Sequence, residues 1–173
     1  TASELRKGLK ELLTKKPVGL VLDLRGNGGG YLDTAVAVLS EFFKSGTAVM
    51  YEQYGDGEKV TLKTKGGETA TQIPLVVLVD EGSASASEIT AGAIQDLGRG
   101  KLVGMKTYGK GSVQNWIALK DNAGAVRVTV ARWLTPNLRQ IHGEGLIPDV
   151  VVEYTEADMT AGRDPQLDKA VEL

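Results

Sequence analysis

Pro74-Leu-Val-Val-Leu-Val79, running into Asp80-Glu-Gly-Ser-Ala-Ser-Ala-Ser-Glu88, is the stretch that decides the fold. The apolar run is too short and unbroken for an amphipathic helix and reads as a strand buried on both faces. A helix is predicted to follow, from about Ser85 to Leu97. A serine where a buried strand turns into a helix is exposed at the sheet edge, beside the unpaired amides of the helix N-terminus. The amide of the next residue, Ala86, can then point at a developing oxyanion. The plain alternative is that serine and alanine are small residues for close packing, one serine acting as the N-cap.

Upstream, Gly19-Leu-Val-Leu-Asp-Leu24 is a strand of the same kind, and it ends in Arg25-Gly-Asn-Gly-Gly-Gly30. That loop could hold a phosphate, supply amides to an oxyanion hole, or be a simple turn. A dinucleotide fingerprint starting at Gly26 would need glycine or alanine at position 31, which is Tyr31, so that reading fails. Tyr31 to Lys44 reads as a helix stopped by Gly46. At the beginning of the chain, Leu5, Leu9, Leu12 and Leu13 recur at helical spacing behind a predicted Thr1–Glu4 capping box, with an end near Lys15-Lys16-Pro17. Thr47 to Gln53 and Lys59 to Thr64 form a predicted hairpin around Gly55-Asp-Gly57. Downstream, strands are predicted at 102–104, 113–119, 125–132 and 150–153, with a terminal helix from Pro165 to Leu173. Strand–helix alternation followed by mostly strands indicates a mixed α/β layer structure in a single domain.

Composition narrows the chemistry. The 173 residues carry a net charge of −2 with 42% apolar and 24% charged side chains. That gives no electrostatic footprint for nucleic acid or an anionic membrane. No apolar run approaches the length of a membrane span, and the first residues do not form a signal peptide. The chain opens directly on a helix, as though cut from something longer. With no cysteine and one histidine, disulfides, thiolate chemistry and multi-histidine metal sites are excluded.

A serine–lysine pair remains open, because a hydroxyl becomes nucleophilic once a neutral lysine takes its proton. Lys110, in Thr107-Tyr-Gly-Lys-Gly-Ser-Val-Gln114, is the candidate base, against the ordinary fate of a solvated loop lysine. The same segment is a near miss to a P-loop, but Gly111 stands where a hydroxyl is required and a strand follows instead of a helix. His142, in a polar loop, is the one residue a Ser-His-Asp triad could use, and a surface role is the simpler reading. Asp23 and Arg25 are expected to pair and order the glycine loop, and Trp116 and Trp133 to pack among the strands. Two glycine-rich loops, a junction serine and a candidate base together supply the parts of an acyl-transfer site.

These residues also carry a family resemblance. Leu22-Asp-Leu-Arg-Gly-Asn-Gly-Gly-Gly30, Gly82-Ser-Ala-Ser-Ala-Ser-Glu-Ile89, Thr107 to Gln114, and Thr135-Pro-Asn137 followed by His142-Gly-Glu-Gly-Leu-Ile-Pro-Asp149 resemble the core of the carboxyl-terminal processing peptidases, serine proteases with a Ser-Lys pair. The ending Asp164-Pro-Gln-Leu-Asp-Lys-Ala170 is similar to the family's terminal helix. The resemblance implies a crotonase/ClpP-like α/β core of mixed sheets with packed helices. It implies Ser85 as nucleophile, Lys110 as base, Gln114 beside the amine, and Ala86 with Gly28 or Gly29 as oxyanion donors. Glu88, Asp96 and Thr107 fall on positions expected to support these groups. No cofactor or metal is implied. The substrate would be a polypeptide with an accessible C-terminus, and the parent would act outside the cytoplasm, in a periplasm, cell envelope or thylakoid lumen. Relatives also carry an N-terminal helical region, a PDZ domain and a leading core strand that this sequence lacks, and their Thr-Pro-Asn-Gly turn reads Thr135-Pro-Asn-Leu138 here. Two other classes remain: a non-catalytic peptide-binding or scaffold piece, and an acyl-CoA enzyme that shares the oxyanion logic.

Overall fold

A computed structural model describes residues 1–173, apart from the side chain of Asn122. Two four-stranded sheets organise the chain. The first is parallel, in the order β1 (Leu20–Asp23), β4 (Leu75–Val79), β5 (Lys101–Gly104), β8 (Val150–Val151). Its register sets Asp23 beside Leu78 and Val79 beside Gly104, so the loops after β1, β4 and β5 leave the same end of the sheet. The second is antiparallel, in the order β3 (Lys59–Lys63), β2 (Ala48–Tyr54), β7 (Ala125–Leu134), β6 (Ser112–Ala118).

Helices cover both faces of the parallel sheet, as buried parallel strands require. On β4, Leu75, Val77 and Val79 enter the main core, whereas Leu78 joins Val103 and Ala170 in a smaller cluster under α5 (Pro165–Glu172). The main core is built around α3 (Ala86–Asp96), where every residue from Ser87 to Ile94 is buried, and α2 (Leu32–Leu39) packs against it. α1 (Ala2–Thr14) packs on α2, and its Leu9 enters the same core.

Two expectations are corrected, and one helix was not anticipated. The second helix stops at Leu39 rather than continuing to Lys44. Beyond it the Ser40 and Glu41 carbonyls accept from the Glu68 and Ala70 amides at 2.7 and 2.8 Å, so tertiary partners replace further helical bonds. At the beginning of α1 the Thr1 side chain makes no capping bond; its amino group pairs with Glu4 at 3.1 Å. A short helix absent from the sequence reading, α4 (Glu156–Thr160), starts at a reciprocal cap in which Thr155 Oγ1 donates to Asp158 at 2.6 Å and accepts from its amide at 3.2 Å. The Thr-x-x-Asp spacing was the available signal.

Candidate active site

Ser85 is the N-cap of α3 and sits at φ +56°, ψ −117°, a conformation that costs a non-glycine residue roughly 1–3 kcal/mol. Its neighbours enforce this geometry. The Ser85 N–H donates to Glu88 Oε2 at 2.8 Å, and the Ala84 N–H donates to the Asn27 carbonyl at 3.0 Å. The Ser85 side chain faces the Glu88 amide and the Glu88 carboxylate takes the Ser85 amide, a capping box at the helix start, while no backbone acceptor within the described residues takes the Ala86 amide.

Glu88 is fully buried and accepts four hydrogen bonds. Oε2 takes the amides of Ser85 and Lys110, both at 2.8 Å, while Oε1 takes the Thr107 hydroxyl at 2.6 Å and the Gly109 amide at 2.7 Å. One carboxylate therefore ties the serine turn to the lysine loop. Thr107 Oγ1 also accepts from the Leu146 amide at 2.7 Å, and Trp133 Nε1 donates to the Lys110 carbonyl at 2.9 Å. The lysine loop is thus fixed on both sides before its amine does anything.

The glycine loop approaches from the neighbouring strand. At Gly29, φ is +95°, and an added Cβ would lie 2.5 Å from the Ala84 carbonyl and 2.7 Å from the Ala86 nitrogen, so only glycine fits. Gly29 spends its own amide on Asn27 Oδ1 at 3.0 Å. The amides of Gly28 and Gly30 have no acceptor among the described residues.

Ser85, Lys110 and Gln114 line one cleft of about 450 Å³, with Ile89 and Trp133 contributing apolar surface and Arg127 and Trp116 at an exposed rim. Arg127 lies 6.0 Å from the Trp116 ring, as expected for residues directly opposite in the β6–β7 register. Lys110 is half-buried, and its amine forms no ion pair or hydrogen bond among the described residues. Gln114 lies next to a register shift in β6, and its amide donates to Thr129 Oγ1 at 3.3 Å rather than to a group on Lys110.

Asp96 stands apart from this cluster. It lies at the opposite end of α3, roughly 16 Å along the axis from Ser85 at 1.5 Å per residue. There it pairs with Arg139 and accepts from the Asn137 amide at 2.8 Å, anchoring the Thr135–Arg139 turn. His142 is exposed and is not among the residues lining the cleft.

Arg25 pairs with Asp23 at 2.7 Å, as expected, but it also reaches further. It pairs with Asp164, the N-cap of α5, at 2.8 Å, donates to Gln166 at 3.0 Å, and lies 5.6 Å from the Tyr154 ring. Hydrogen bonds to Asp23 and Asp164 hold its guanidinium above the ordinary arginine range, and the bond from Arg25 chiefly holds the Asp164 carboxyl below the ordinary aspartate range. Sequence reading did not find this tie between the glycine loop and the terminal helix, because the partners lie 139 positions apart.

The model for peptidase family S41 matches residues 1–152. A carboxy-terminal-processing protease of Bartonella bacilliformis is 40% identical over 171 residues, covering 96% of this chain and 39% of that protein. A carboxyl-terminal-processing protease of Synechocystis sp. is 42% identical over 173 residues, covering 98% and 40%. Among solved structures, a photosystem II D1 C-terminal processing protease superposes with a TM-score of 0.81 at 37% identity, over 88% of this chain and 39% of that one. The chain spans about two-fifths of the length of these curated relatives.

Proposed function

Because the chain belongs to peptidase family S41, we propose that it carries the catalytic core of a serine endopeptidase of the carboxyl-terminal processing type. The observation that carries this reading is the convergence of Ser85 and Lys110 on one cleft, their two loops joined through the buried Glu88.

In the proposed reaction the neutral amine of Lys110 accepts the Ser85 Oγ proton as Oγ attacks the peptide carbonyl carbon. The carbonyl electron pair moves onto oxygen, which the amides of Ala86 and Gly28 stabilise. Of the two glycines considered, Gly28 is the one whose amide is not engaged within the loop. Each such donor contributes on the order of 3 kcal/mol. Collapse breaks the C–N bond, and the Lys110 ammonium gives its proton to the departing amine, leaving an ester on Ser85. Water then attacks that ester with Lys110 as base; the proton returns to Oγ and the carboxylate product leaves. Gln114 is assigned to orient the amine, and Thr107 and Glu88 to hold the loop that bears it.

The substrate is proposed to be a polypeptide cleaved near an accessible C-terminus. The intact parent is proposed to add a PDZ domain and to work outside the cytoplasm, both resting on the family resemblance. A second reading, a non-catalytic peptide-binding piece, is favoured by one observation: no hydrogen bond joins Ser85 to Lys110. Cleavage of an unfolded protein with an apolar C-terminus separates the two. The endopeptidase reading expects cleavage that disappears in both Ser85→Ala and Lys110→Ala. Full activity in Lys110→Ala would refute the assigned base, and binding without cleavage, even after the N-terminal portion found in relatives is supplied, would favour the second reading.

A further inference from the structure

The two donors of the oxyanion hole come from different loops, one following β1 and one following β4. Chain connectivity does not set the distance between them, yet an error of about 1 Å in such a site costs on the order of a hundredfold in rate. Something has to hold one loop against the other.

Beside the Ala84 N–H that donates to the Asn27 carbonyl at 3.0 Å, Asp80, the first residue after β4, bridges the two loops with a single oxygen. Its Oδ1 accepts from the Gly26 amide at 2.8 Å and from the Gly82 amide at 3.0 Å, and the Ser83 hydroxyl lies 3.2 Å away. Ser83 Oγ in turn donates to the Leu24 carbonyl at 2.7 Å and accepts from the Asp80 amide at 3.0 Å. The loops meet closely at this point, since a Cβ added to Gly82 would fall 2.9 Å from Gly26 Cα. Gly26 opens the segment carrying Gly28, and Gly82 opens the segment carrying Ala86.

We propose that Asp80 is the positioning residue of the oxyanion hole, clamping the glycine loop to the serine turn so that the Gly28 and Ala86 amides converge on one point. The proposal rests on the endopeptidase reading. Asp80 Oδ2 takes no partner among the described residues, so one neutral acceptor is sufficient for the clamp. Asp80→Asn keeps that acceptor, whereas Asp80→Ala removes it.

The test compares both variants with the unmodified chain on a matched pair of peptide substrates, an oxoester and its thionoester. Sulfur fits an oxyanion hole poorly, so a well-formed hole favours the oxoester. Asp80→Ala is expected to lose about 10- to 100-fold in oxoester kcat, with KM changed by no more than about twofold, and to lose most of its preference for oxygen over sulfur. Asp80→Asn is expected to stay within about threefold of the unmodified chain in both respects. An unchanged oxygen–sulfur preference in Asp80→Ala overturns the proposal, because a general loss of folded protein lowers both rates together. A second measurement needs no turnover: amide hydrogen exchange in a Ser85→Ala background. The Gly26 and Gly82 amides are expected to exchange at least about tenfold faster on adding Asp80→Ala, while the buried amides of Ala93 and Ile94 stay unchanged. Unaltered exchange at Gly26 overturns the clamp. Accelerated exchange in a chain that hydrolyses neither ester, even with the N-terminal portion found in relatives supplied, supports the clamp and refutes the endopeptidase reading instead.

Discussion

Replacing Glu88 with glutamine keeps the shape of the side chain and removes one of its two acceptor oxygens. Four donors converge there at 2.6 to 2.8 Å inside a fully buried site, two on each oxygen. An amide nitrogen in the Oε1 position can donate to Thr107 Oγ1, since a hydroxyl also accepts, but it then faces the Gly109 N–H with no acceptor. One buried charge-assisted bond is lost and the others become neutral, a combined cost of about 3 kcal/mol. For a chain of this length that lowers Tm by roughly 6–12 °C. Glu88→Ala strands all four donors at about 1–3 kcal/mol each, comparable to the whole stability of a typical domain, and is expected to give no folded protein. The activity effect exceeds what stability alone would produce, because the Ser85 and Lys110 amides share one carboxylate oxygen and their side chains must meet. The assay is thermal unfolding by circular dichroism together with polypeptide cleavage at least 15 °C below the variant's own Tm, a margin of about 5 kcal/mol at that slope. A Glu88→Gln chain with unchanged Tm and full cleavage would refute the reasoning.

Two further outcomes follow from the geometry. Gly29→Ala must push a methyl group against the Ala84 carbonyl and the Ala86 nitrogen, and is expected to abolish cleavage and lower Tm; Gly28→Ala, with nothing within 4 Å of the new Cβ, should leave Tm unchanged, and equal Tm values for the two variants would contradict the loop packing. Asp164 is held below the ordinary aspartate range chiefly by Arg25, so the folded chain binds that proton less tightly than the unfolded chain. Its stabilising contribution is complete above the unfolded pKa of about 4 and is lost as pH falls through the lower folded value. Arg25→Gln should therefore lower Tm at neutral pH by more than it does at about pH 2, and a Tm difference constant across that range would exclude the linkage.

The two strand–loop junctions were legible because each combines an unbroken apolar run with residues that only a tight turn needs. Glycine stands at 26 and 28–30 after one strand, and small serine and alanine residues at 83–87 after the other. Helix α2 was overextended because its apolar pattern continues through Phe42 and Phe43, both buried, while the amides that end it arrive from residues 68 and 70. Periodicity reports which side faces the core and cannot report who takes the carbonyls. The same limit hid the contacts of Asp80 and Arg25, whose partners lie 54 and 139 positions away. Glu88 was singled out through family resemblance, but its four-way bonding became visible only with the lysine loop in place. Gln114 lies next to a register shift in β6 and donates to Thr129 Oγ1, a partner of which the residue pattern carries no trace.

The backbone of Ser85 has a consequence for how this chain would respond to selection. Its φ of +56° with ψ of −117° suits glycine and burdens every other residue. Heat resistance and chemical competence therefore pull in opposite directions at this single position. A library screened only for survival at high temperature would drift toward glycine there and lose its hydroxyl, so tolerance of serine at position 85 measures how much folding energy the rest of the molecule can spare.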